Sequence, residues 1–176
     1  MSDKIAWSEE IPPLPSARIW TPPDGRSHIC VLGPWRSLWI HWLRKRSVPC
    51  LKENCPRYRH TAPGRWVAYV PSCVPILALD GTREVVGHRP IIIACNPEQA
   101  AALRPSMGNY PGPILTLFKH EKEKHWTLEK IITGKNPKDM PPCPDVLATL
   151  HRVWGIIPDF EQNGEAPPAD GPPSDS

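Results

Sequence analysis

Four side chains with metal-ligand chemistry stand close together in the middle of this 176-residue chain: Cys50, Cys55, His60 and Cys73. The run Cys50–His60 has the spacing C-x4-C-x4-H, and Cys73 follows at the far end of a strand expected over Arg65–Val70. Zinc takes four such donors in a tetrahedron, commonly from a tight loop and a neighbouring strand. Asn54-Cys55-Pro56 and Ala62-Pro63-Gly64 supply sharp turns around the expected ligands. The spacing is looser than C-x2-C, so two other readings stay open. Cys50 and Cys55 could be ordinary small residues beside a solvated His60, or the cysteines could form a disulfide. His41 is the substitute ligand should His60 not serve. Four protein ligands would close the coordination sphere, making the zinc structural. Cys30, Cys95 and Cys143 lie on or near apolar stretches and read as core residues.

The same region is basic and aromatic. Between Trp35 and Tyr69 stand Arg36, Arg44, Lys45, Arg46, Lys52, Arg57, Arg59 and Arg65, against the one acid Glu53. Trp35, Trp39, Trp42, Tyr58, Trp66 and Tyr69 are interleaved with them. Single-stranded nucleic acid is held by this pairing, with cations following phosphates and flat rings stacking on exposed bases. The expected binding surface comprises Arg44, Lys45, Arg46, Arg57, Arg59 and Arg65, with Trp39, Tyr58 and Trp66 as stacking platforms. Alternation over Trp35–Leu43 puts Trp35, Ser37, Trp39 and His41 on one face and Leu38, Ile40 and Trp42 on the other. Trp42 and at least two other tryptophans are therefore expected to be buried, with Trp39 the more exposed.

Charge balance supports a polyanionic partner. The net charge is +3, but Asp159, Glu161, Glu165, Asp170 and Asp175 face no Lys or Arg in residues 159–176. Without those five acids, 21 basic residues meet 13 acidic ones in residues 1–158, an excess of eight. The chain contains 25 prolines, with clusters over 11–23 and 158–176, segments that cannot build a core. Residues 1–16 are expected to be a flexible arm, 17–157 the folded domain, and 158–176 a disordered acidic tail offering a site to protein partners. The first thirty residues hold no continuous apolar stretch, so a cytoplasmic, nucleoid-associated setting with reduced thiols is expected.

Strands are expected at Ala17–Trp20, His28–Leu32, Trp35–Leu43, Arg65–Val70 and Arg89–Cys95, with a hairpin from Ile114–His120 and His125–Thr133. Asn96-Pro97-Glu98-Gln99 is a helix start, with Asn as N-cap and Pro at the first helical position. A second helix is expected over Pro144–Trp154, closed by Gly155. A helix over Pro97–Arg104, preceded by strands and followed by a hairpin, matches the helix slot of a five-stranded OB barrel. The expected fold is mainly β, an OB-like barrel carrying a zinc loop.

A strand ending near His41-Trp42, the loop of Cys50, Cys55, His60 and Cys73, the strand Gly64-Arg65-Trp66-Val67 and a closing hairpin together resemble the zinc-bearing single-stranded DNA-binding proteins of phages and mobile elements. The acidic tail is similar to those with which bacterial and phage single-strand binders recruit replication and repair partners. The resemblance implies an OB-fold and binding of single-stranded nucleic acid, DNA before RNA.

Two other functional classes fit a chain of this kind less well. Zinc deaminases need His/Cys-x-Glu followed by Pro-Cys-x-x-Cys, and this chain has neither. It has no Walker loop, nucleophile elbow or paired-acid motif. His120, Glu121, Glu123 and His125 are explained by a charged hairpin turn. An enzyme is therefore not expected. The alternative is a zinc-stapled protein–protein adaptor of a mobile-element or defence complex.

Overall fold

A computed structural model describes residues 17–43, 45–50, 64–132, 139–155 and 161–162. In chain order the elements are β1 (Arg18–Trp20), β2 (Gly25–Val31), β3 (Arg36–Leu43), β4 (Arg46–Pro49), β5 (Arg65–Leu77), β6 (Val85–Cys95), α1 (Pro97–Leu103), β7 (Ile114–Lys119), β8 (Trp126–Ile132), α2 (Val146–Trp154) and β9 (Glu161–Gln162). The fold is mainly β, as expected. Among the described residues the nine strands belong to one sheet whose main path runs β1-β6-β5-β2-β7-β8, with β3 paired to β5, β4 and β9. Only the β1–β6 pairing is parallel among the described residues. Among the described residues β1 and β8 do not pair, so these strands form an open sheet where a closed five-stranded barrel was expected.

The sheet curls. β6 and β8 are separated by β5, β2 and β7, yet α1 touches β5, β6 and β8 alike. Strands spaced about 4.8 Å apart would carry β8 about 19 Å from β6 in a flat sheet, beyond the reach of a helix this short. The start of α1 is secured by a reciprocal cap. Asn96 Oδ1 accepts from the Gln99 amide at 2.8 Å, and Gln99 Oε1 accepts from the Asn96 amide at 2.9 Å. The remaining Gln99 donor, Nε2, reaches the Trp126 carbonyl at 2.9 Å and ties the helix to β8.

β5 is the spine. One edge pairs with β6 along its length; the other pairs with β3 through Arg65–Tyr69 and with β2 through Ser72–Cys73. The strand was expected over Arg65–Val70, but it runs on through Pro71 to Leu77. Pro71 sits where β5's second edge passes from β3 to β2, opposite the irregular Leu32–Trp35 connection. Its missing N–H interrupts no regular ladder there, while its carbonyl accepts from the Leu32 amide at 2.9 Å.

Both faces of the sheet are covered. Ile29, Val31, Trp35, Trp66, Val70, Ile91, Ile93, Leu115 and Leu117 pack on one face, with Ala100 and Leu103 of α1. Leu38, Ile40, Tyr69 and Ile92 pack on the other, against Val146 and Leu150 of α2. α2 begins at Val146 behind its N-cap Asp145 and ends at Gly155, whose φ of +70° is the left-handed cap that glycine adopts freely. Beyond it, Glu161 and Gln162 pair with Ser37 and Arg36. Two residues of the segment expected to be disordered thus return to the sheet. The expected arm 1–16 and residues 163–176 lie outside the described residues.

Candidate nucleic-acid interface

The β3–β4 hairpin and the start of β5 carry the described part of the expected surface. Lys45 is exposed and sits at φ +70° between the two strands, immediately before Arg46 pairs with Leu43. That backbone region costs a β-carbon-bearing residue roughly 1–2 kcal/mol, and glycine or asparagine normally fills it. A cation stands there instead. Arg65 is exposed at the first position of β5, opposite Ile40. Arg46 is the first residue of β4. Arg44, Arg57, Tyr58 and Arg59 lie outside the described residues.

The tryptophans divide differently from the expectation. Trp39 is 42% exposed, as a stacking platform requires, but Trp66 is 5% exposed and its ring fills the core. A ring enclosed in that way offers no face to a base. Trp42 was expected to be buried and is instead 54% exposed, more than Trp39. It pairs with Ser47 near the hairpin tip, past the last residues that α2 covers, so alternation assigned its face correctly but not its cover. Its position beside Arg44-Lys45-Arg46 was the signal for exposure. Trp35 and Trp66 are buried, as is Trp126. By register Trp39 and Trp42 project from opposite faces of β3, so the hairpin presents one ring on each side.

Of the four expected metal ligands, the two described ones, Cys50 and Cys73, lie apart. The Cys50 amide donates to the Trp39 carbonyl at 2.8 Å, which places Cys50 beside the Trp39–Trp66 pair. Cys73 lies seven residues further along β5, about 23 Å away at strand rise. Sulfurs sharing one zinc stand only about 4 Å apart, given bonds of about 2.3 Å, so Cys50 and Cys73 cannot share one. Cys73 is separated because β5 continues outward through it rather than bringing it back. Cys55 and His60 lie outside the described residues.

His41 stands nearer to Cys50 than Cys73 does. It is 3% exposed and lies two residues along β3 from Trp39, on the same face as Cys50. The connection that leaves at Cys50 returns at Gly64, where an added Cβ would stand 3.5 Å from Trp39 Cε3 and 3.6 Å from His41 Cε1. Both described ends of the segment carrying Cys55 and His60 therefore converge beside the His41 ring. Among the described residues no three His, Cys, Asp or Glu side chains gather as a metal site.

No family model, curated protein or solved structure matches this chain. Its function is argued from its own residues. No helix among the described residues is long and apolar enough to cross a membrane.

Proposed function

We propose that this chain is a single-stranded nucleic-acid-binding module, for DNA before RNA, with a structural zinc beside its binding hairpin and no catalytic role. The observation that carries the reading is the pair of exposed rings, Trp39 and Trp42, flanked by the exposed cations Lys45 and Arg65. Large rings at a strand end with water on one side contribute little to folding, and beside cations they suit stacking and phosphate contact. The excess of basic residues over acidic ones in residues 1–158 supports the same partner. Zinc would be held by Cys50 and His41, with Cys55 and His60 from the connecting segment completing four donors. An OB-like use of the sheet is supported by the way α1 touches both β6 and β8, as a helix does under a curled sheet.

One observation favours the adaptor reading. Beyond its pairing with β2, the β5–β6 hairpin projects with Ile76, Leu77, Leu79, Val85 and Val86 exposed. Its charged residues, Asp80, Arg83, Glu84 and Arg89, balance, so it suits an apolar protein partner better than a phosphate backbone.

Fluorescence anisotropy with labelled single-stranded DNA, duplex DNA and RNA, each at two salt concentrations, tests the proposal. The expected result is tightest binding to a single strand, weakening with salt. Replacing Arg44, Lys45 and Arg46 together should flatten the salt slope by up to about three phosphate contacts. Equal affinity for duplex would indicate a duplex reader, and no binding to any nucleic acid would leave the adaptor reading.

A further inference from the structure

Cys30 in β2 and Cys73 in β5 stand directly opposite each other on their antiparallel ladder. Opposed residues on such a ladder project from the same face, which sets the two thiols side by side. A third sulfur joins them: Met140 Sδ lies 3.5 Å from Cys73 Sγ. Leu32 closes the pocket on the apolar side, and Cys30 Sγ also donates to the Gly112 carbonyl at 3.1 Å. Cys30 and Cys73 are buried, whereas Met140 is half-buried and forms the outer wall.

Met140 reaches this place because its segment lies flat on the sheet. Three residues on, Cys143 Sγ rests over Gly33 so closely that a Cβ there would stand 2.5 Å from the sulfur. Only glycine permits that approach. The bare Gly33 backbone thus lets the Met140–Cys143 stretch lie close to the Cys30–Cys73 pair.

We propose that Cys30, Cys73 and Met140 form a binding site for a soft monovalent d10 metal ion, copper(I) by chemical class. Thiolate and thioether donors select such ions over zinc, calcium or magnesium. Zinc would want a fourth donor, and no third His, Cys, Asp or Glu among the described residues joins the pair. Three-coordinate sulfur sites need only three donors. With metal–sulfur bonds of about 2.3 Å, their sulfurs stand about 4 Å apart, a small outward step from the 3.5 Å between Cys73 Sγ and Met140 Sδ. Ligation releases one thiol proton to water, the other cysteine binding as its thiol, and oxidises nothing. One thiolate balances one monovalent cation, so the buried site can remain neutral. The half-buried Met140 gives the ion its way in.

The site is independent of the zinc proposed at Cys50, and its test must see it alone. The chain has three methionines, Met1, Met107 and Met140, so methyl-13C methionine labelling gives three signals. Full-length protein would be titrated with silver(I), a redox-inert stand-in for copper(I), and the Met140 signal assigned with Met140→Leu. The Met140 methyl should shift saturably while Met1 and Met107 stay in place. Cys30→Ser and Cys73→Ser should each weaken the response at least about tenfold, and Cys143→Ser should leave it unchanged. Should the cysteine variants fail to fold, competition for copper(I) against bicinchoninate on the half-buried Met140→Leu variant gives the second readout, expected to be about tenfold weaker at this site. A Met140 signal unmoved by excess silver(I), a shift that persists in Cys30→Ser, or unchanged copper(I) competition in Met140→Leu would overturn the proposal.

Discussion

Trp39 and Trp66 are directly opposite each other on the β3–β5 ladder, yet Trp39 is 42% exposed and Trp66 only 5%. The pair shares one face of the sheet and divides two tasks, because the core extends under β5 and ends beneath β3. Replacing each with alanine should therefore fail in different ways. Trp66→Ala should cost about 3–5 kcal/mol of stability in denaturant unfolding, the range for emptying a large core ring. Trp39→Ala should cost far less stability but about 1–3 kcal/mol of single-strand affinity in an anisotropy titration. Unchanged oligonucleotide affinity in a folded Trp39→Ala protein would remove Trp39 from the interface.

Lys45 holds a left-handed backbone at φ +70°. Lys45→Gly should relieve that strain, leaving stability equal or raised by up to about 1 kcal/mol once glycine's own entropy cost is counted. The same change removes a cation, so the salt slope of binding should fall by about one phosphate contact. A melting curve and a salt titration on one variant measure both. A variant as tightly bound as the parent, with the same slope, would show that Lys45 touches no phosphate.

Metal retention should separate His41 and Cys50 from Cys73. His41→Ala and Cys50→Ser proteins should lose zinc to a mild chelator and melt at a markedly lower temperature, since metal binding and folding free energy are linked. Cys73→Ser should keep its zinc, because Cys73 lies about 23 Å along β5 from the Cys50 end. Elemental analysis after dialysis decides the matter, and zinc loss in Cys73→Ser would contradict the placement of the site.

Stability should fall in alkali. Burial pushes the Cys95 thiol and the Tyr69 phenol well above their ordinary ranges. A raised folded-state pKa means that the folded chain keeps a proton that the unfolded chain releases. Its stabilisation is complete below the unfolded value, about 8.5 for a thiol and about 10 for a phenol, and is lost as pH rises beyond it. Unfolding free energy should drop by up to about 1.4 kcal/mol per pH unit for each group above its unfolded pKa. Guanidinium unfolding of Cys95→Ala and the parent at pH 7, 9 and 10 provides the check, with a flatter decline expected for the variant. Identical slopes would mean that Cys95 is not the group responsible.

Two truncations should distinguish the acidic charges from the strand they follow. Ending the chain after Gln162 removes Glu165, Asp170 and Asp175 but keeps β9; ending it after Pro158 removes β9 as well. Both should tighten oligonucleotide binding at low salt, an effect that fades as salt screens the charges. Only the shorter protein should also lose about 1 kcal/mol of stability, because the Arg36–Ser37 edge of β3 loses its partner. Equal melting temperatures for the two would make β9 dispensable.

Local signals in the sequence were enough for much of the framework. Asn96, Pro97 and Gln99 specify a helix start through groups that lie within one turn of each other, and that cap is found complete. The buried triplet Ile91-Ile92-Ile93, the β7–β8 hairpin and the Gly155 stop are likewise written in neighbouring residues. What local pattern could not supply was partnership. The strand expected over Arg65–Val70 continues through Pro71, and only the handover from β3 to β2 makes a proline harmless there. Trp42 and Trp66 have the same side chain and both lie in strands; which is buried depends on how far the core and α2 extend. The separation of Cys73 from Cys50, and its meeting with Cys30 and Met140, followed from the length and direction of β5. Residue types therefore determined which chemistry the chain carries, because donors, rings and charges are properties of single side chains. Tertiary structure decided which of them meet, because strand register and cover depend on residues far apart in sequence.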